Sequence, residues 1–250
     1  MERLDDVFTG AWARSNLSRD RTAVVVLLDA DEWLPGLAQA ERLLDPEERQ
    51  RVSRLRRRSD AIRRTLGYAL NRLVLGRLLD CDPERVPLYR DARGAPRLGG
   101  DVRAWVSLSH ADEHCAIAFS GEGVVGVDIE PVSRRADVAG IAEWICHPDE
   151  YEALRSLAAG PRDSALLDLW VRKEALLKAA GTGLSIEMAG FTAPPDSTLA
   201  LPDGTPASVA LRMLDTGMRT VAAAATPAHQ PVRVVRLSPD WPDSEPSAVD

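Results

Sequence analysis

The sequence predicts an α+β protein made of two similar α/β halves, and two observations carry that expectation. Runs of strand character and helical stripes follow one another as strand, helices, strands and then strands, helices, strands, with a join near residues 121–124. The chain has 250 residues, 45% hydrophobic and 28% charged, a globular composition long enough for two small lobes or one large one. The expected division is residues 1–121, residues 122–237 and a disordered tail over 238–250, where SPDWPDSEPSAVD has little to bury.

Taken in order, Thr22 to Asp29 (TAVVVLLD) is a β-branched and leucine run that reads as a buried strand. Asp45-Pro46-Glu47-Glu48 reads as a helix start, with an aspartate cap, proline at the first helical position and acids facing the positive dipole end. A basic helix is expected from there to about Arg58, within a stretch that holds eight arginines between Arg49 and Arg64. Ser59 is the expected cap of a second helix reaching Asp80, with Ile62, Leu66, Leu70, Leu73 and Leu78 as its apolar stripe. Prolines and glycines break residues 83–100 into loops, after which Trp105–Ser109, Cys115–Phe119 and Val124–Glu130 read as strands.

A helical stretch from about Asp137 to Leu157 is expected to lead through Gly160-Pro161 into a helix near Asp163–Ala180, stopped by Gly181 and Gly183. Beyond it, Ala207–Leu214 and Met218–Ala225 flank Asp215-Thr216-Gly217 and predict a hairpin, although the alanine run also suits a helix.

Chemistry concentrates in two segments. In Val125-Gly126-Val127-Asp128-Ile129-Glu130, strand alternation sends Val125, Val127 and Ile129 to one face and Gly126, Asp128 and Glu130 to the other. Two carboxylates ~5 Å apart repel by ~3 kcal/mol at an effective dielectric of about 20, so the pair is either a solvated strand face or a cation site. On the following helix, Glu174 and Lys178 share a face four residues apart, which alone suits a surface ion pair better than a site, while Gly181-Thr182-Gly183 just after it suits close packing against a ligand or another chain. If Glu174 joins Asp128 and Glu130, three hard oxygen ligands without histidine or cysteine favour Mg²⁺ or Mn²⁺, whose shell is commonly completed by water and a substrate pyrophosphate. Lys178 would then bring a point charge to the same phosphates.

These segments resemble the motifs of a known family, the 4′-phosphopantetheinyl transferases of the long, pseudo-dimeric Sfp type. Gly126-Val127-Asp128-Ile129-Glu130 is similar to the family's G-[IV]-D-[IV]-E element, and Trp170 to Leu184 (WVRKEALLKAAGTGL) fits W-x-x-K-E-A-x-x-K-x-x-G-x-G-L at every fixed position. Val106-Ser107-Leu108-Ser109-His110 resembles the strand ending in Ser-His, and Asp45 to Arg51 followed by Arg63 resembles the basic N-terminal segment. The similarity runs from about Asp45 to Leu184.

The resemblance implies a fold of two similar subdomains with the active site between them, and transfer of the 4′-phosphopantetheine group of coenzyme A to a serine of an apo acyl- or peptidyl-carrier protein, releasing 3′,5′-ADP. It implies metal ligands Asp128, Glu130 and Glu174 for Mg²⁺ or Mn²⁺. Glu174 is the implied proton acceptor and Lys178 stabilises the leaving group. Coenzyme A contacts are implied for Arg51 and Arg63 (3′-phosphate), Gly94, Ala95 and Pro96 (adenine-side loop), Ser109, His110 and Lys178. Where relatives often carry Gly-Lys-Pro this chain has Gly94-Ala95-Pro96, so Arg93, Arg97 or backbone groups would have to replace the lysine; Glu48 stands where relatives can carry lysine. The implied pathways are polyketide, nonribosomal peptide or siderophore synthesis, and the expected state is a monomer.

Two rivals are a coenzyme A or carrier-binding protein without turnover and an unrelated Mg²⁺-dependent phosphotransferase; the latter would want a phosphate loop, and no such glycine pattern occurs. The net charge of −7 disfavours non-specific nucleic-acid binding. No stretch has the length of a membrane span, and the acidic opening MERLDD lacks signal-peptide character, so a cytoplasmic location without membrane association is expected. Cys81, Cys115 and Cys146 are far apart and read as reduced structural thiols, and Trp170 reads as a core residue.

Overall fold

The computed structural model describes residues 3–17, 22–217 and 219–242. It is an α+β protein that divides into two compact units, one of Met1–Arg19, Leu28–Val86 and Arg236–Asp250, the other of Asp20–Leu27 and Pro87–Val235. This differs from the expected cut at 121/122, because the strands before that point pair with and pack on those after it. Among the described residues, no helix is long and apolar enough to cross a membrane.

The first unit is helical. It holds α1 (Leu4–Ser15), the end of β1 (Ala23–Asp29), α2 (Leu37–Leu43), α3 (Pro46–Ser53) and α4 (Arg58–Leu79). The expected start of α3 is present as a capping box: Asp45 accepts from the Glu48 amide at 2.8 Å and Glu48 accepts from the Asp45 amide at 2.9 Å. The Glu48 carboxylate is buried and also takes the Nε of Arg72 at 2.7 Å, while Asp45 takes Nη2 of the same arginine at 2.5 Å. Ser59 is not the cap of α4; Arg57 stands there without a side-chain hydrogen bond. Phe8 and Trp33 are fully buried with ring centroids 5.8 Å apart.

The segment expected to be disordered from Ser238 is held through its first residues. Trp241 meets Trp33 edge-on at 6.4 Å and donates Nε1 to the Glu32 carbonyl at 3.0 Å, so its indole has something to bury against after all. Residues 243–250 of that expectation lie outside the described residues.

The second unit is built on two four-stranded sheets. After the short ribbon of β2 (Leu88–Arg90) and β3 (Pro96–Leu98) come β4 (Trp105–Ala111), β5 (His114–Ser120) and β6 (Gly126–Pro131). Three short helices, α5 (Arg135–Ala139), α6 (Ala142–Ile145) and α7 (Pro148–Arg155), precede the 22-residue α8 (Ala159–Ala180). Then follow β7 (Ser197–Ala200), β8 (Ser208–Leu214), β9 (Thr220–Pro227) and β10 (Val232–Arg236). The sheet orders are β10-β1-β5-β4 and β6-β9-β8-β7.

The predicted single helix over 137–157 is broken at Gly140 and again before Pro148, where His147 and Glu150 form a capping box that starts α7 afresh. Helix α8 begins four residues before the expected Asp163, with Pro161 tolerated in its first turn. The alanine run is the strand β9, paired with β8 from Leu214↔Ala222 to Val209↔Pro227 and with β6 on its other edge. Small side chains there let α8 lie close to the sheet, in a core of Leu167, Val171, Ala175, Ala223 and Ala225. Val125, Val127 and Ile129 point the other way, into a core shared with Val25, Leu27, Ala116 and Ala118.

Candidate active site

The alternation read from the sequence sets the geometry of β6. With Val127 and Ile129 turned into one core, Gly126, Asp128 and Glu130 face α8. Gly126 is the close-approach point: a methyl group there would overlap the Ala175 carbonyl oxygen and lie 2.6 Å from the Ala179 amide nitrogen. Because no side chain intervenes, the α8 backbone rests on the strand and brings Glu174 and Lys178 beside the two acids.

Asp128 is the centre of the site. Its Oδ1 accepts from Lys178 Nζ at 2.7 Å and from Ser109 Oγ at 2.9 Å, and Lys178 also donates to Ser109 Oγ at 2.9 Å. The same serine accepts from the Ile129 amide at 3.4 Å, and Ser107 Oγ accepts from the Val127 amide at 3.1 Å, so β4 is fastened to β6 by two hydroxyls. Asp128 Oδ2 is buried and has no hydrogen-bond partner among the described residues.

Glu130 Oε1 accepts from Trp170 Nε1 at 3.3 Å and from Arg134 Nη1, and the Arg134 guanidinium lies 4.9 Å from the centre of the Trp170 ring. Burial, then the charge of Asp128, raises the Glu130 carboxyl above the usual carboxylate range, with Arg134 and Lys178 opposing. Glu174 is raised further, to about 7, chiefly by burial and next by Asp128, with Lys178 opposing. A carboxyl near 7 beside a lysine and two other acids is poised to exchange a proton.

The three expected ligands are thus electrostatic neighbours, yet among the described residues no three His, Cys, Asp or Glu side chains already close into a metal cage. Mg²⁺ seldom uses such a cage, preferring one or two carboxylates plus waters and substrate phosphate. A buried, unpartnered Asp128 Oδ2 next to two carboxyls pushed toward neutrality fits a divalent cation well.

Lys173 serves a different purpose from its motif neighbour Glu174. Its side chain is fully buried, with Nζ 2.6 Å from Glu150 and donating to the carbonyls of Ile145, Met188 and Phe191 at 2.7–2.8 Å. It therefore ties the segments on either side of α8 to the helix.

The coenzyme A residues inferred by resemblance are distributed as follows. Ser109 is buried within the Asp128–Lys178 network, while His110 is exposed at the end of β4. Gly94 (φ +82°), Ala95 and Pro96 form the β2–β3 turn, organised by Asp91, which accepts from the Ala95 amide at 3.0 Å and Arg97 Nε at 2.9 Å. Arg93 donates to the Gly181 carbonyl at 3.4 Å and the Arg97 guanidinium covers Gly181, the left-handed residue (φ +69°) that ends α8. Both replacements weighed for the missing lysine therefore lie at that helix end. In the other unit, Arg51 pairs with Glu47 at 3.2 Å and Arg63 with Asp31 at 2.6 Å.

Sequence reasoning missed Arg134 and the polar role of Trp170. The spacing Glu130/Arg134 offered a cue only if the chain turns helical immediately after the strand, as it does. Trp170 is packed against the helical core as expected, yet only half-buried, with its indole N–H turned to Glu130.

Fold and site together define an α+β protein with carboxylates and a lysine converging on a strand–helix contact. The chain belongs to the 4′-phosphopantetheinyl transferase superfamily, whose model matches residues 124–217. It is 30% identical to the 4′-phosphopantetheinyl transferase psf-1 of Bacillus pumilus over 70% of this chain and 76% of that one. It is 31% identical to the transferase HetI of Nostoc sp. over 63% of this chain, and 34% identical to the transferase gsp of Aneurinibacillus migulanus over 58%. The chain spans 61% of the length of HetI and 59% of that of gsp.

Proposed function

We propose that this chain transfers 4′-phosphopantetheine from coenzyme A to a serine of an apo acyl- or peptidyl-carrier protein. The observation that carries the proposal is the Asp128 centre, with one oxygen held by Lys178 and Ser109 and the other buried without a partner among the described residues, beside two glutamates whose carboxyls are raised by burial and by the Asp128 charge. Asp128, Glu130 and Glu174 would hold Mg²⁺ or Mn²⁺, which when bound supplies charge neutralisation for the coenzyme A pyrophosphate.

Glu174 accepts the carrier serine proton, directly or through water, a task suited to a group titrating near 7. The serine oxygen bonds to the β-phosphorus as the bond from that phosphorus to the bridging oxygen breaks, and 3′,5′-ADP departs with the electron pair. Lys178, fixed by Asp128 and Ser109, supplies positive charge for the leaving phosphate. Arg51 and Arg63 are assigned to the 3′-phosphate, and Gly94, Ala95, Pro96 and His110 to the remaining coenzyme A contacts. The reading includes two related subdomains, a monomer in the cytoplasm, and carriers of polyketide, nonribosomal peptide or siderophore synthesis.

The test is to incubate the protein with coenzyme A, Mg²⁺ and a panel of apo carrier domains and weigh the carriers. The expected result is a gain of one phosphopantetheine on at least one carrier, abolished by EDTA. Binding of coenzyme A with no gain on any carrier would replace the transferase by a binding protein.

A further inference from the structure

Arg134 is a charged contact of the site to which the transfer reaction as proposed gives no part. Its guanidinium lies over the Trp170 ring and donates to Glu130 Oε1, the same oxygen that Trp170 Nε1 holds at 3.3 Å. The Glu130 side chain is 14% exposed and that of Arg134 35%, so the carboxylate is enclosed while the cation above it reaches solvent. Its charge acts on both Glu130 and Glu174, as Lys178 acts on Asp128.

A divalent cation binding Glu130 meets the Arg134 charge whether it takes Oε2 or displaces the guanidinium from Oε1. Stacking on Trp170 does not depend on that oxygen, so a displaced guanidinium keeps its anchor on the indole face and turns its free N–H groups to the next anion that arrives. We propose that Arg134 is a tethered counter-ion on Glu130 that competes with the divalent cation and is transferred to a phosphate oxygen of the incoming coenzyme A. Metal alone then binds against a resident cation, whereas metal with coenzyme A does not, because the displaced arginine gains a new partner. Metal and coenzyme A therefore strengthen each other's binding, equally in both directions. This inference rests on the three-carboxylate reading of the site.

The test is Mn²⁺ binding followed by the free-ion EPR signal, in the wild type, Arg134→Gln, Glu130→Gln and Glu174→Gln, each with and without saturating coenzyme A. Without coenzyme A, Arg134→Gln should bind Mn²⁺ about fivefold more tightly than the wild type, the scale of one partly exposed ion pair. Coenzyme A should raise the Mn²⁺ affinity of the wild type by a larger factor than that of Arg134→Gln. If Arg134→Gln binds Mn²⁺ no more tightly while the two glutamate variants lose it, the competition is overturned and the metal site stands. If no variant differs from the wild type, or none of the four proteins binds Mn²⁺, the metal site fails and the competition with it.

Discussion

Glu174 carries the heaviest electrostatic load of the site, and its chemistry gives two predictions. Glu174→Gln keeps shape while removing the proposed proton acceptor, so carrier modification should fall by at least about 10²-fold with an unchanged circular dichroism spectrum. Full activity in that variant would remove Glu174 from its role. The second concerns pH. An acid raised from 4.5 to about 7 on folding binds its proton more tightly in the folded state, so its contribution to stability is complete below 4.5 and is lost as pH rises through 7. Metal-free wild type should therefore lose Tm relative to Glu174→Gln between pH 5 and pH 8, and Mg²⁺ should restore more of it at pH 8 than at pH 5. A constant Tm difference across that range would contradict the shift. At this scale the faces of Asp128 and Glu130 and of Glu174 and Lys178 were legible because alternation along β6 and the four-residue spacing on α8 are local rules. Arg134 was not, because its place depends on how the chain turns after Pro131.

At the scale of elements, the site is a strand and a helix in direct backbone contact, and Gly126 is what permits it. Gly126→Ala should cost about 3 kcal/mol or more, since the obstruction is backbone rather than a movable side chain. In whatever fraction stays folded, kcat should fall because Glu174 and Lys178 are pushed off Asp128; urea unfolding and carrier-modification rates together check both effects. Wild-type stability in this variant would mean that α8 does not lie against β6 as described. The glycine was visible in the sequence as a permissive residue, but its neighbour was not, since only the packing of α8 reveals what a side chain would strike. The strand β9 is a similar case: TVAAAATP has helical composition, and its pairing on both edges overrides that propensity. The broken helix over 135–155 was half legible, through Pro148 and its acids, whereas the break at Gly140 had no comparable signal.

At the scale of the molecule, the C-terminal segment is a fastening of the helical unit. Trp241→Ala should lower stability by about 1 kcal/mol through loss of its edge contact with Trp33 and its hydrogen bond to Glu32, read as a drop of a few degrees in Tm. Composition hid this: proline, serine and acid around one tryptophan read as tail, and nothing local says where an indole will find a pocket. Composition also carries a fact of another kind. Among 31 basic side chains in the sequence only two are lysines, Lys173 and Lys178, and both belong to α8. Each stands where a compact ammonium is required, one amid four oxygens with no exposed surface, the other wedged between Asp128 and Ser109 with 27% of its side chain open. An amine-acylating reagent applied to the folded protein thus finds, apart from the α-amine, a single side-chain target, Lys178 of the proposed catalytic centre. Coenzyme A bound there should act as a shield, so this chain carries a natural label site for its own occupancy.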